Sequence, residues 1–159
     1  MNIKEKIERL EKELQELKEQ VANQEQAKNK TPIGWVPEKG EDYHFIDCDG
    51  DIGSETNNTE WDDRVIKHYK VFQTEEEAEF YAEKMKVIRE LEKFAREFVY
   101  CEENWAIAWD YPEGEICYTF TIFMDINLIY FENKEKAQEA IQAVGEDRIK
   151  KYYLEVEDD

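Results

Sequence analysis

Six aliphatic residues, Ile3, Ile7, Leu10, Leu14, Leu17 and Val21, recur at alternating spacings of four and three. That period is the seam of a coiled coil, with Ile7, Leu14 and Val21 at heptad position a and Ile3, Leu10 and Leu17 at position d. Only two positions in seven are apolar, a narrower stripe than a helix needs to pack on a globular core. The flanking charges indicate chain orientation. In a parallel pair Lys6 faces Glu11 and Glu13 faces Lys18, and both contacts attract. Branched residues at two of the three a positions, with Leu at d, favour two strands. Residues 1–27 are therefore expected to form a coiled-coil oligomerisation helix, a parallel homo-oligomer with a dimer favoured. The pattern then dissolves into a polar run and Thr31-Pro32-Ile33-Gly34, so 28–41 is expected to be a linker.

The remainder, 42–159, reads as one α+β domain. Asp42 to Asp47 alternates as a strand and is followed by Asp49-Gly50, a two-residue hairpin turn signal. His68 to Gln73 reads as another strand. Thr74 then caps a helix whose first turn holds Glu75, Glu76 and Glu77, where the helix dipole favours negative charge. Ala78, Tyr81, Met85, Ile88, Leu91, Ala95 and Phe98 give that helix one apolar face. The second half follows the same plan. Trp105, Ile107 and Trp109 alternate on a strand, and Pro112-Glu113-Gly114 turns the chain. Ile116, Tyr118, Phe120, Ile122 and Met124 then share one face of a longer strand, and Leu128 to Phe131 makes a third. Asn133 caps a helix carrying Ala137, Ala140, Ile141 and Val144, and Gly145 ends it. VFQTEEEA (71–78) and YFENKEKA (130–137) align at these joints. The expectation is a duplicated β-β-β-α domain, with repeat units at about 42–98 and 104–145, forming an antiparallel sheet with helices on one face.

Charge limits what such a domain can bind. The chain carries −19 at pH 7, and residues 1–31 contribute nothing to it, holding seven basic and seven acidic side chains. The other 14 basic and 33 acidic residues lie in 32–159. A field of that sign repels nucleic acid and anionic membrane and attracts basic surfaces, so direct nucleic-acid or membrane binding is not expected. No run approaches the roughly 20 apolar residues of a membrane span, and the N-terminus lacks a signal-peptide core, so a cytoplasmic protein is expected. Cys48, Cys101 and Cys117 are odd in number and irregularly spaced, and they read as buried or idle thiols in a reducing compartment.

Few residues combine into a chemical site. Asp47, Asp49 and Asp51 resemble the start of a calcium loop, but its sixth and twelfth positions are Ile52 and Asn58 rather than Gly and Glu. The two histidines, His44 and His68, fall in expected strands. No nucleophile elbow, glycine-rich phosphate loop or metal-ligand spacing occurs, so no enzyme, no metal and no cofactor is expected. What remains is recognition. Gly53 to Asp63 is polar and turn-rich around Trp61, which is either a lid on the core or, if exposed, a binding anchor of the kind in which tryptophan is enriched. The partner-binding candidates are Asp47, Asp49, Asp51, Glu55, Glu60, Trp61, Asp62 and Asp63. Arg64, Lys67 and Lys70 form a basic cluster that could hold an anionic ligand instead. Trp35, Trp105 and Trp109 are expected in the core.

GWVPEKGEDYHFIDCDGD (34–51), FQTEEEAEFYAEKM (72–85) and AVGEDRIKKYYLEV (143–156), placed behind a short coiled coil, resemble small acidic proteins of phages and prophages of Gram-positive bacteria. The resemblance implies a host bacterial cytoplasm and an accessory role, and some such proteins inhibit host defences. Three functions are consistent with it. The first is a non-enzymatic inhibitor that binds a basic host defence protein through its acidic surface. The second is a homo-oligomeric sponge for a small nucleotide signal, and the third is a virion assembly adaptor.

Overall fold

The computed structural model describes residues 34–156. The expected coiled coil and its seam residues Ile3, Ile7, Leu10, Leu14, Leu17 and Val21 lie outside the described residues. The described chain is α+β, and it divides into two compact units at Ala78/Glu79.

The first unit begins with a hairpin of β1 (Asp42–Ile46) and β2 (Ile52–Thr56), in register from Asp42 opposite Thr56 to Ile46 opposite Ile52. β3 (Val71–Phe72) pairs antiparallel on the other side of β1, giving the order β2-β1-β3. Alternation along β1 puts Tyr43 and Phe45 on one face, where Val65 and Val71 complete a small core. Val65 lies on α1 (Glu60–His68), a helix that replaces both the expected loop through Asp63 and the start of the expected strand at His68. The sequence signal for α1 is Thr59 followed three residues later by Asp62, the spacing of a capping box, and both reciprocal bonds form.

The segment from Gly34 to Glu41 also differs from the expected linker. Trp35 packs on the core, and buried Asn57 holds the irregular segment that precedes β1. Asn57 Nδ2 donates to the Pro37 carbonyl at 2.7 Å, while the Gly40 N–H donates to the Asn57 carbonyl at 2.9 Å. α2 (Glu75–Glu92) opens as the sequence predicts, with Thr74 Oγ1 accepting from the Glu77 N–H at 3.3 Å.

In the second unit β4 (Asn104–Asp110) and β5 (Glu115–Thr121) form a hairpin, with Ile107 opposite Tyr118 and Trp105 opposite Phe120. The expected third strand shrinks to two isolated bridges, in which Trp105 pairs with Phe131 and Arg96 with Tyr130. The order around the hairpin is nevertheless that of the first unit: the first strand is central and the returning segment pairs on its far side. α3 (Lys134–Val144) follows, capped by Asn133 Oδ1 on the Lys136 N–H at 2.8 Å and closed by Gly145 at φ +99°. A short helical turn α4 (Glu146–Arg148) then runs into a π-helical turn at Ile149–Tyr153. Val87 and Leu91 from α2, the apolar side of α3, Ile149, Ile107 and Phe131 make one core, with Trp105, Ile116 and Tyr118 packed against it. Arg148 adds a polar clamp, reaching Glu83 at 2.7 Å and Glu90 at 2.8 Å on α2.

Two expected elements end early for one reason. α2 stops at Glu92 rather than Phe98 because the next residues leave the helix for the sheet, and the Arg96 N–H donates to the Tyr130 carbonyl at 2.8 Å. The chain then turns through Cys101 at φ +63° into buried Asn104. The Asn104 amide accepts from the Val99 N–H at 2.8 Å and donates to the carbonyls of Val99 and Glu102, each at 2.9 Å. β4 therefore begins at Asn104, opposite Thr121, so among the described residues β5 has no strand partner past Thr121. Ile122 and Met124, expected to continue its inner face, are exposed, and so is Phe120. Of the three free thiols, Cys48 and Cys101 are exposed and Cys117 is partly buried.

Candidate functional site

The predicted acidic residues do not converge. Asp47 is committed to the β1–β2 turn, where its Oδ1 accepts from the N–H groups of Asp49 and Asp51, both at 2.9 Å. That turn lifts Asp49 and Asp51 into solvent at the far end of the hairpin from the start of α1. Glu55 is exposed on β2 opposite Tyr43. Glu60 and Asp63 lie exposed in the first turn of α1, and Asp63 pairs with Lys39 at 2.9 Å.

Asp62 turns inward, 2% exposed, and cannot serve as a surface contact. Its Oδ1 accepts from Tyr43 Oη at 2.8 Å. Its Oδ2 accepts from Thr59 Oγ1 at 2.7 Å, the Thr59 N–H at 2.8 Å and the Asn58 N–H at 3.1 Å. These donors, Thr59 first and Tyr43 next, hold the carboxyl well below the ordinary carboxylate range. The Tyr43 phenol is pushed far up, first by burial and then by its bond to Asp62. Both shifts move away from neutrality, so neither group is tuned to exchange a proton near pH 7. The pair is a frame that fastens the start of α1 to the start of β1.

On that frame stands an aromatic ledge. Trp61 is 50% exposed and meets Phe45 edge-on, with centroids 5.8 Å apart at 69°. Tyr69, 43% exposed just past the end of α1, meets the same ring at 6.3 Å and 60°. Phe45 itself is nearly buried, and it lies over Gly53, where a Cβ would fall 2.4 Å from the ring. The missing side chain at Gly53 is thus what lets Phe45 lie flat enough to hold both exposed aromatics. Arg64 and Lys67 are exposed on α1 beyond Trp61, and Lys70 follows the helix, its ammonium 5.4 Å from the Phe72 ring centroid.

Trp61 was legible in the sequence as either a lid on the core or an exposed contact residue, and the structure leaves it half-exposed. Phe45 and Tyr69 were not legible as part of the site, because Phe45 meets Trp61 from another element and Tyr69 lies past the helix end in extended backbone. Among the described residues no group of three His, Cys, Asp or Glu side chains could hold a metal ion, and no helix is long and apolar enough to cross a membrane. No protein-family model, curated protein or solved structure matches the chain.

Proposed function

We propose that the chain is a non-enzymatic, phage-type inhibitor that binds a basic host defence protein in the bacterial cytoplasm, held as a parallel dimer through residues 1–27. The observation that carries this reading is Trp61, a half-exposed indole whose orientation is set by Phe45 on a helix fixed by a capping box. A rigid aromatic loses little conformational freedom on binding, and it anchors interfaces for that reason. Glu60 and Asp63 flank it, and the −19 charge would draw a basic partner toward it.

The test is a tagged pull-down from host lysate at low and high salt, comparing the native chain with Trp61→Ala and identifying proteins and small molecules by mass spectrometry. A basic nuclease or effector that washes off with salt, and that Trp61→Ala binds at least about tenfold more weakly, is the expected result. Recovery unchanged by Trp61→Ala overturns the reading.

One observation favours a second reading, a sponge for a small nucleotide. Arg64 lies one turn along α1 from Trp61 and Lys67 nearly two, so a base stacked on the indole would have cationic groups nearby for its phosphates. A nucleotide retained through purification, with no protein partner, selects this reading.

We also propose that residues 42–98 and 104–145 descend from one duplicated β-β-β-α unit. The shared order of hairpin, returning segment and capped helix supports it, as do the aligned joints at Phe72 and Phe131. α1 is then an insertion between the second and third strands of the first copy, and it is the insertion that carries Trp61.

A further inference from the structure

In a chain that is 38% charged, residues 116–131 contain one charged side chain, Asp125. The stretch holds the edge strand β5 and the segment after it. Among the described residues β5 pairs with β4 alone, which leaves its outer backbone edge without a strand partner. Natural sheets protect such an edge with lysines, prolines, bulges or very short strands. β5 is seven residues long and carries only Glu115, at its first position.

Past the strand end the apolar side chains turn to solvent. Phe123 is 77% exposed, Met124 69% and Ile126 88%, with Phe120 and Ile122 about half exposed. The segment is built rather than loose: Thr121 Oγ1 accepts from the Phe123 N–H at 3.0 Å, and Tyr130 Oη donates to the Asp125 carbonyl at 2.8 Å. Taking about 200 Å² for a fully exposed large apolar side chain, these five residues present roughly 650 Å² of apolar surface. A monomer's largest apolar patch is about 300–600 Å², and a standard interface buries about 800 Å² on each partner.

We infer that β5 and residues 120–126 form a self-association surface whose occupant is the same surface of a second copy. Charge chooses the occupant. Two chains of −19 repel across most of their surface, and this neutral strip is where they can approach. A basic partner is drawn to the acidic remainder. Geometry agrees, because an antiparallel edge pairs with itself about a two-fold axis and so presents identical patches to each other. The surface is separate from the Trp61 ledge and needs neither that site nor the heptad seam.

The test uses the full chain with the seam broken by Leu10→Asp and Leu14→Asp, so that any remaining association is the surface's own. In analytical ultracentrifugation up to about 0.1 mM, twice the chain mass is expected, and added salt should strengthen it by screening repulsion. Adding Phe123→Asp and Ile126→Asp is expected to raise the dissociation constant at least tenfold. Both positions are solvent-exposed, and an unchanged circular dichroism spectrum verifies folding. Hydrogen exchange supplies a second readout: the outer amides of β5 should be protected in the dimer and exposed in the quadruple variant. A seam-broken chain that stays monomeric overturns the inference, leaving the strip to a foreign apolar partner or to the chain's own N-terminal segment. So does a dimer that persists with both aspartates present. Neither result bears on the Trp61 reading, whose partner should be released by salt.

Discussion

The contact between Phe45 and Gly53 carries more than its size suggests. Phe45 supports Trp61 and Tyr69 together, and the close approach of its ring to Gly53 leaves no room for a methyl group. Gly53→Ala is expected to push the ring outward and to cost about 1–3 kcal/mol, as overpacking does. Chemical denaturation measures the cost, and NMR of the indole N–H groups locates it: Trp61 should shift, while Trp105 and Trp109 should not. An unmoved Trp61 resonance would mean the ledge does not depend on Phe45. Part of this residue-level picture was legible. Asn133 and Gly145 act locally, and each does what its chemistry predicts, while Asp49-Gly50 turns the chain within a longer Asp47–Asp51 loop rather than as a two-residue turn. The spacing of Asp62 from Thr59 signals its capping role, but not its bond to Tyr43, which another element brings beside it.

At the level of elements, carboxylates fasten both units. Asp62 joins α1 to β1, while Glu83 and Glu90 clamp Arg148 against α2. Hydrogen bonding to Thr59 and Tyr43 lowers the Asp62 carboxyl, and the Arg148 guanidinium lowers those of Glu83 and Glu90. Groups depressed in the folded state contribute stability that is complete above their unfolded values, about 4, and that is lost as pH falls through the folded ones. Stability is therefore expected to hold between pH 7 and about 5 and to decline below about 4, as read by denaturant midpoints across pH. Arg148→Met should make the decline in the second unit shallower, since Glu83 and Glu90 then return toward ordinary behaviour. The elements themselves were readable where period and cap agreed, as in α3. They were misread where pairing decided the outcome. β5 reads as continuing through Met124, but Asn104 ends its partner strand opposite Thr121, and no sequence period records where a neighbouring strand stops.

For the whole molecule, charge sets opposite salt responses. The −19 excess opposes compaction, and moving from 10 mM to 150 mM salt shortens the screening length from about 30 to 8 Å. The thermal midpoint is expected to rise by about 3–6 °C by scanning calorimetry, self-association should tighten, and a charge-led partner should be released. Within that field the Trp61 ledge has a particular construction. Thr59, Asp62, Tyr43, Phe45 and Gly53 hold the helix, while Glu60, Arg64 and Lys67 stand exposed on α1. Support and contact are therefore separable. Substitutions at positions 60, 61, 64 and 67 can accumulate without unfolding the unit, so a lineage under pressure from a changing partner could alter what it recognises one side chain at a time. Variation among future relatives should concentrate at those positions, over an unchanging Thr59, Asp62 and Gly53.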